Sequence, residues 1–149
     1  MVVMQYLLDT NVCINLLRND RPAVTARFVQ VGVAACAISE IVEAELRVGA
    51  ESSQRPDFQH ALIDQLAASL AVLPVAPAIR LYARERARLQ ASGQLIDSFD
   101  LLIGSTALAH GLIMVTNNSR HFARIQGLPL EDWTVPRAPS SSVARPQNP

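Results

Sequence analysis

Four short apolar runs, the first three each followed by a segment of helical periodicity, limit what this chain can become. The runs are residues 2–8, 34–38, 72–75 and 112–116. They are nearly continuous in apolar residues rather than alternating, which is the pattern of strands buried on both faces. Helices are expected at 11–17, at 23–31 with Pro22 near its first turn, and from the cap Ser39 to Gly49. Two more are expected at 56–70 and 77–90, and another from an Asp97 or Ser98 cap to His110, stopped by Gly111. Residues 133–135 read as a short edge strand. Strands alternating with helices make βαβ units. The expected fold is therefore a three-layer α/β/α sandwich with a short, mostly parallel central sheet. A chain of 149 residues suffices for one core. The domain is taken as residues 1–135, and residues 136–149, dominated by Pro, Ser and Ala, as a disordered tail.

In open sheets of this kind the ligand site lies beyond the carboxyl ends of the strands. Asp9 closes the first run, Ser39 follows the second, and Asn118 lies two residues past Thr116. Asp9-Thr10-Asn11 is also good capping sequence, so Asp9 has a helix-cap reading beside the functional one. Helical arithmetic puts Ile41, Val42, Glu45, Val48 and Gly49 on one face, which points Glu45 towards the core. An acid there must be paired, protonated or bound to a metal. Its neighbours have ordinary roles: Glu43 pairs with Arg47 at i,i+4, and Glu40 sits in the first helical turn. Asp97 and Asp100 are three apart at a helix start. Asp97 is read as the cap and Asp100 as the inward acid, on a face where Gly104 would let the helix approach the sheet closely.

The chain contains no lysine; all thirteen of its basic residues are arginine. That excludes a P-loop and Schiff-base chemistry, both of which need an amine. Carboxylates without a basic catalyst suit a hard divalent cation and metal-assisted phosphate chemistry. The formal net charge is zero, so contact with nucleic acid would rest on local placement of arginine. Arg80, Arg84 and Arg88 form an i, i+4, i+8 stripe, either an RNA-phosphate track or a solvated face partly balanced by Glu85. Cys13 and Cys36 lie in apolar segments and read as buried free thiols. No signal peptide and no membrane-length apolar run is read, so a cytoplasmic location without membrane contact is expected.

At these residues the sequence resembles the PIN-domain endoribonucleases, in particular the VapC-type toxins of toxin-antitoxin pairs. The matching segments are Tyr6-Leu7-Leu8-Asp9-Thr10-Asn11-Val12, Ala44-Glu45-Leu46-Arg47-Val48-Gly49 and Phe99-Asp100-Leu101-Leu102-Ile103-Gly104. A fourth is Val115-Thr116-Asn117-Asn118-Ser119-Arg120-His121-Phe122, followed by Gly127-Leu128 and Glu131-Asp132-Trp133. The resemblance implies hydrolysis of RNA dependent on Mg2+ or Mn2+, with Asp9, Glu45 and Asp100 as metal-binding and catalytic acids and Asn118 ligating or orienting water. It also implies a VapB-type antitoxin as inhibitor, a homodimer, and a toxin-antitoxin hetero-oligomer. Two departures stand out: His121 occupies a position where relatives often carry an acid, and Gly104-Ser105 replaces a pair of alanines. Two rival readings remain at this point, a catalytically inactive PIN-fold binding subunit and a metal-dependent phosphatase with Asp9 as nucleophile.

Overall fold

The computed structural model describes residues 2–136. The first strand, β1 (Tyr6–Leu8), is followed by helices α1 (Thr10–Arg18) and α2 (Pro22–Val31). Then come β2 (Cys36–Ser39), α3 (Glu40–Glu51), α4 (Pro56–Ser69), β3 (Ala71–Leu73) and α5 (Ile79–Ala91). The last part holds α6 (Ser98–Ala109), β4 (Ile113–Val115), the short α7 (Ser119–Phe122) and β5 (Leu130–Glu131). The strands form one sheet in the order β3-β2-β1-β4-β5, and every pairing is parallel. Helices cover the sheet, as an all-parallel sheet requires. The α/β/α reading of the sequence therefore holds, with a sheet that is wholly parallel.

Leu7, Leu8, Ile38 and Met114 of the sheet are fully buried, as are Leu101 and Ile103 of α6. Burial of each such side chain stabilises the fold by up to roughly 1.5–3 kcal/mol. Helix α6 is buried over most of its surface, Gly104 to Ala107 included, which fits its nearly unbroken apolar sequence. A Cβ on Gly104 would collide with Ile125 and crowd Phe122 and Leu128. The close approach that this glycine permits is thus to the segment after α7, and not to the sheet as the sequence suggested.

Three strand assignments shift, the first being the expected run 2–8, of which only Tyr6–Leu8 joins the sheet. The expected run 72–75 becomes Ala71–Leu73, because Pro74 has no N–H to continue the ladder. The edge strand expected at residues 133–135 is instead Leu130–Glu131. Beyond it Asp132 Oδ1 accepts hydrogen bonds from the Thr134 N–H and hydroxyl, which turns the chain. Trp133 is buried edge-on against Tyr6, so its aromatic character reflects packing and not strand pairing. The expected tail starts at Pro136, and residues 137–149 lie outside the described residues. Cys13 and Cys36 are buried free thiols, as read. No helix among the described residues is long and apolar enough to cross a membrane.

Candidate active site

The sheet order reverses direction at β1. From β1 the chain winds outward through β2 to β3, then returns to place β4 on the other side of β1. A crevice therefore opens beyond the carboxyl ends of β1 and β4, where ligands bind in open α/β sheets. Leu8 is in register with Val115, so the next residues, Asp9 and Thr116, leave the sheet side by side.

Asp9 serves two ends at once. One carboxylate oxygen accepts from the Thr10 N–H at 2.8 Å and caps α1, while the other accepts from the buried Thr116 hydroxyl at 2.7 Å. The cap and site readings of Asp9 are thus compatible. Burial pushes its carboxyl above the ordinary range, and the bonds from Thr116 and Thr10 oppose that. Thr116 in turn accepts from the Asn118 N–H at 2.9 Å. The hydroxyl fixes both the acid and the loop that follows β4.

Glu45 stands at the site through Thr10, whose hydroxyl donates to Glu45 Oε1 at 2.7 Å. Its helix does not face as the arithmetic proposed. The buried residues of α3 are Val42, Leu46 and Ala50, while Val48 is 67 % exposed. Glu45 lies on the flank of that face, partly open, and it needs no core partner. Glu43 pairs with Arg47 at 3.2 Å as expected, and Arg47 also reaches Asp64 at 2.7 Å.

Asp97 caps α6, accepting from the Phe99 and Asp100 N–H groups at 2.9 and 3.3 Å. Asp100 is half-buried, and its carboxylate takes no part in the cap. Burial first, then the charges of Asp9, Asp97 and Glu45, raise its pKa to about 6. Asp100 thus feels both other acids of the expected trio. Even so, among the described residues no three Asp, Glu, His or Cys side chains stand close enough together to enclose an ion.

The helix-flanked parallel sheet is shared with known proteins. A family model described as "PIN domain" matches residues 6–128. The tRNA(fMet)-specific endonuclease VapC of Shigella flexneri is 36% identical over 133 residues, covering 89% of this chain and 100% of that protein. Ribonuclease VapC2 of Haemophilus influenzae is 34% identical over 132 residues, 88% of this chain and 99% of that one. Among solved structures, DNA-bound VapBC from Salmonella typhimurium superposes with a TM-score of 0.82 at 34% identity, covering 88% of this chain and 99% of that chain. VapBC2 from Rickettsia felis, bound to a DNA fragment from its promoter, gives 0.79 at 31% identity, with 87% and 99% covered. The chain belongs to the VapC family of PIN-domain proteins.

In this VapC-family chain the Asn118 amide is in contact with His121, Nδ2 to Nδ1 at 3.1 Å. His60 and His110 keep structural roles: His60 bridges Glu51 and Arg47, and His110 ends α6. The arginine stripe divides. Arg88 makes a two-pronged ion pair with Glu85 at 2.9 and 2.7 Å and also donates to the Arg124 carbonyl. That pairing holds the buried Glu85 carboxyl below the usual range. Arg88 is therefore a tie between α5 and the chain after α7, whereas Arg80 and Arg84 remain exposed.

The residues that sequence reasoning missed are Thr10 and Thr116. Both sit next to named motif positions, but only the β1–β4 register and the packing of α1 on α3 reveal that their hydroxyls bond the acids. Beside the acids, α1, α3 and α4 enclose an apolar groove of about 490 Å³, lined by Ile14, Leu17, Leu46, Phe58 and Ile63, with Glu45 on its wall.

Proposed function

We propose that this protein is the toxin of a toxin-antitoxin pair, an endoribonuclease that hydrolyses RNA phosphodiester bonds and is silenced by a VapB-type antitoxin. The observation that carries the reading is that Asp9, Glu45 and Asp100 lie within electrostatic reach of one another near the sheet's switch point, where Asp100 is raised to about 6 partly by the other two acids. Crowded carboxylates with no basic partner repel one another, and a cation relieves that repulsion. The donor set is all hard oxygen, which fits Mg2+ or Mn2+. That the acids do not close on one point is compatible with Mg2+, which keeps several waters and binds through one or two carboxylates together with substrate phosphates.

Asp9 and Asp100 would hold the cation, with Glu45 beside them and Asn118 orienting water. The ion, when bound, supplies Lewis-acid polarisation of the phosphate and a lowered pKa for attacking water. The chain's own contribution is positional. Thr116 and the Thr10 N–H aim Asp9 and offset part of the cost of burying its charge. Thr10 steers Glu45, and Asp97 fixes the first turn of α6 so that Asp100 faces the crevice. Two relatives are named for tRNA(fMet) cleavage, and RNA of that class is the first substrate to test. The groove beside Glu45 suits an apolar antitoxin segment.

The test is cleavage of RNA by the purified protein with and without Mg2+ or Mn2+. Asp9→Asn is expected to cut the rate by at least ~10²-fold, about 2.7 kcal/mol of transition-state stabilisation, with the circular dichroism spectrum preserved. A folded Asp9→Asn protein of full activity would remove Asp9 from the site. Absence of cleavage by the wild type under every metal would favour the inactive-subunit reading.

A further inference from the structure

The described arginines are unequally committed. Arg27, Arg47 and Arg88 are in ion pairs. Arg55 stacks over Phe58, and Arg124 donates to the carbonyls of Gln94 and Leu95. The other six also form no ion pair among the described residues, and five of these, Arg18, Arg21, Arg80, Arg84 and Arg120, are exposed. The sixth, Arg86, is itself part-buried, and its Nη1 donates to the hydroxyl of the exposed Ser98 at 3.1 Å. Ser98 is the first residue of α6, two positions before Asp100.

This placement is unusual for a cation. Arg86 reaches the helix that carries Asp100, yet it forms no ion pair within 4 Å with Asp97 or Asp100. Asp97 is instead occupied by the amides of its own helix. Nor does Arg86 offset the repulsion that raises Asp100, whose perturbing charges are all acidic. A guanidinium has five N–H donors in a planar fork, and one hydrogen bond leaves most of them open. The Ser98 hydroxyl, having accepted from Arg86, keeps its own proton to donate. An anion on these two groups would accept from both.

We propose that Arg86, pre-positioned by Ser98, grips a backbone phosphate of the bound RNA next to the scissile one. This rests on the endoribonuclease reading. Net charge is zero and the crevice is acidic, so RNA approaching it meets repulsion that a fixed local cation must offset. An exposed, freely rotating arginine loses side-chain entropy when it binds, whereas Arg86 is already partly ordered. Arg86 is a substrate-holding residue here and takes no part in the bond-making step.

The experiment measures binding and cleavage separately. Binding of a labelled single-stranded RNA oligonucleotide is followed by anisotropy in an Asp9→Asn background across a salt series, and cleavage in the otherwise wild-type protein with Mg2+. Arg86→Gln should weaken binding on the order of tenfold and reduce the salt slope by about 0.7, the share of one single-strand phosphate contact. In cleavage it should raise KM and leave kcat within about twofold. Arg86→Lys should keep the salt slope and recover part of the affinity, and Ser98→Ala should show a weaker version of the Arg86→Gln effect. Thermal melts of each variant check the fold. Unchanged affinity and slope in a folded Arg86→Gln protein would overturn the proposal. So would a fall in kcat with KM unchanged, which would mean that Arg86 only positions α6. If the wild type binds RNA without cutting it, the endoribonuclease reading fails while the binding arm still judges Arg86. If it neither binds nor cuts, both fail.

Discussion

At Asp100, the raised pKa of about 6 has a consequence for stability as well as for chemistry. The folded state holds this proton more tightly than the unfolded chain, whose value is the ordinary 3.8. Stability of the metal-free protein therefore falls as pH rises from about 4 to about 6, and stays lower above that. Removing the charge should reverse the loss. Asp100→Asn is expected to raise the Tm of the metal-free protein at pH 7–8 by roughly 2–4 °C, equivalent to about 1 kcal/mol once solvent screening of this half-exposed group is allowed for. It should change little at pH 4 and abolish cleavage. Added Mg2+ should stabilise the wild type and not the variant. Differential scanning calorimetry at the two pH values decides this; an Asp100→Asn protein no more stable than wild type at pH 8 would show that the acids do not repel. Asp9, Asp97 and Asp100 were legible as residues because strand ends and helix caps have sequence signatures. Thr10 and Thr116 were not, since the Thr116 hydroxyl gains its meaning only from the β1–β4 register and the Thr10 hydroxyl only from the packing of α1 against α3.

Among the elements, helices were read more accurately than strands. A helix carries its own markers: Ser39 accepts from the Val42 N–H at 3.1 Å, Pro22 and Pro56 open their helices, and Gly111 ends one with φ +67°. Strands of two to four residues have no room for a pattern, and β5 was displaced because Trp133 mimics a strand residue while packing on Tyr6. The facing of α3 shows a different limit. Its Ile41, Val42, Glu45, Val48 and Gly49 stripe was one offset from the buried one, because Leu46 and Ala50 point inward with Val42. Glu45 and Glu43 still separate, since Glu45 bonds Thr10 at the crevice whereas Glu43 bonds Arg47. Glu45→Gln should abolish activity and relieve growth inhibition on expression. Glu43→Gln should lose only ~0.3–0.5 kcal/mol of surface pairing, the more so because Arg47 keeps Asp64. A growth assay with the ranking reversed would place the functional carboxylate at Glu43.

For the whole molecule, the topology that creates the crevice also sets how a partner can close it. The β1–β4 switch point sets Asp9 at one end of the sheet within electrostatic reach of Asp100, and α1, α3 and α4 place an apolar groove beside Glu45. Glu45 belongs to both, bonded to Thr10 on one side and lining the groove on the other. A single antitoxin segment can therefore bury apolar side chains against Leu17, Leu46, Phe58 and Ile63 while presenting a basic side chain to the carboxylates. Such a cation would supply the charge that a metal otherwise brings, so the two should exclude each other. Asp9→Asn/Asp100→Asn is expected to bind the cognate antitoxin on the order of tenfold more weakly than wild type, with most of the loss in the dissociation rate. Excess Mg2+ should weaken the wild-type complex and leave the double variant unaffected. Titration calorimetry of the purified pair reads both effects. An affinity indifferent to the two substitutions and to Mg2+ would mean that inhibition acts through the groove alone, with the acids left open.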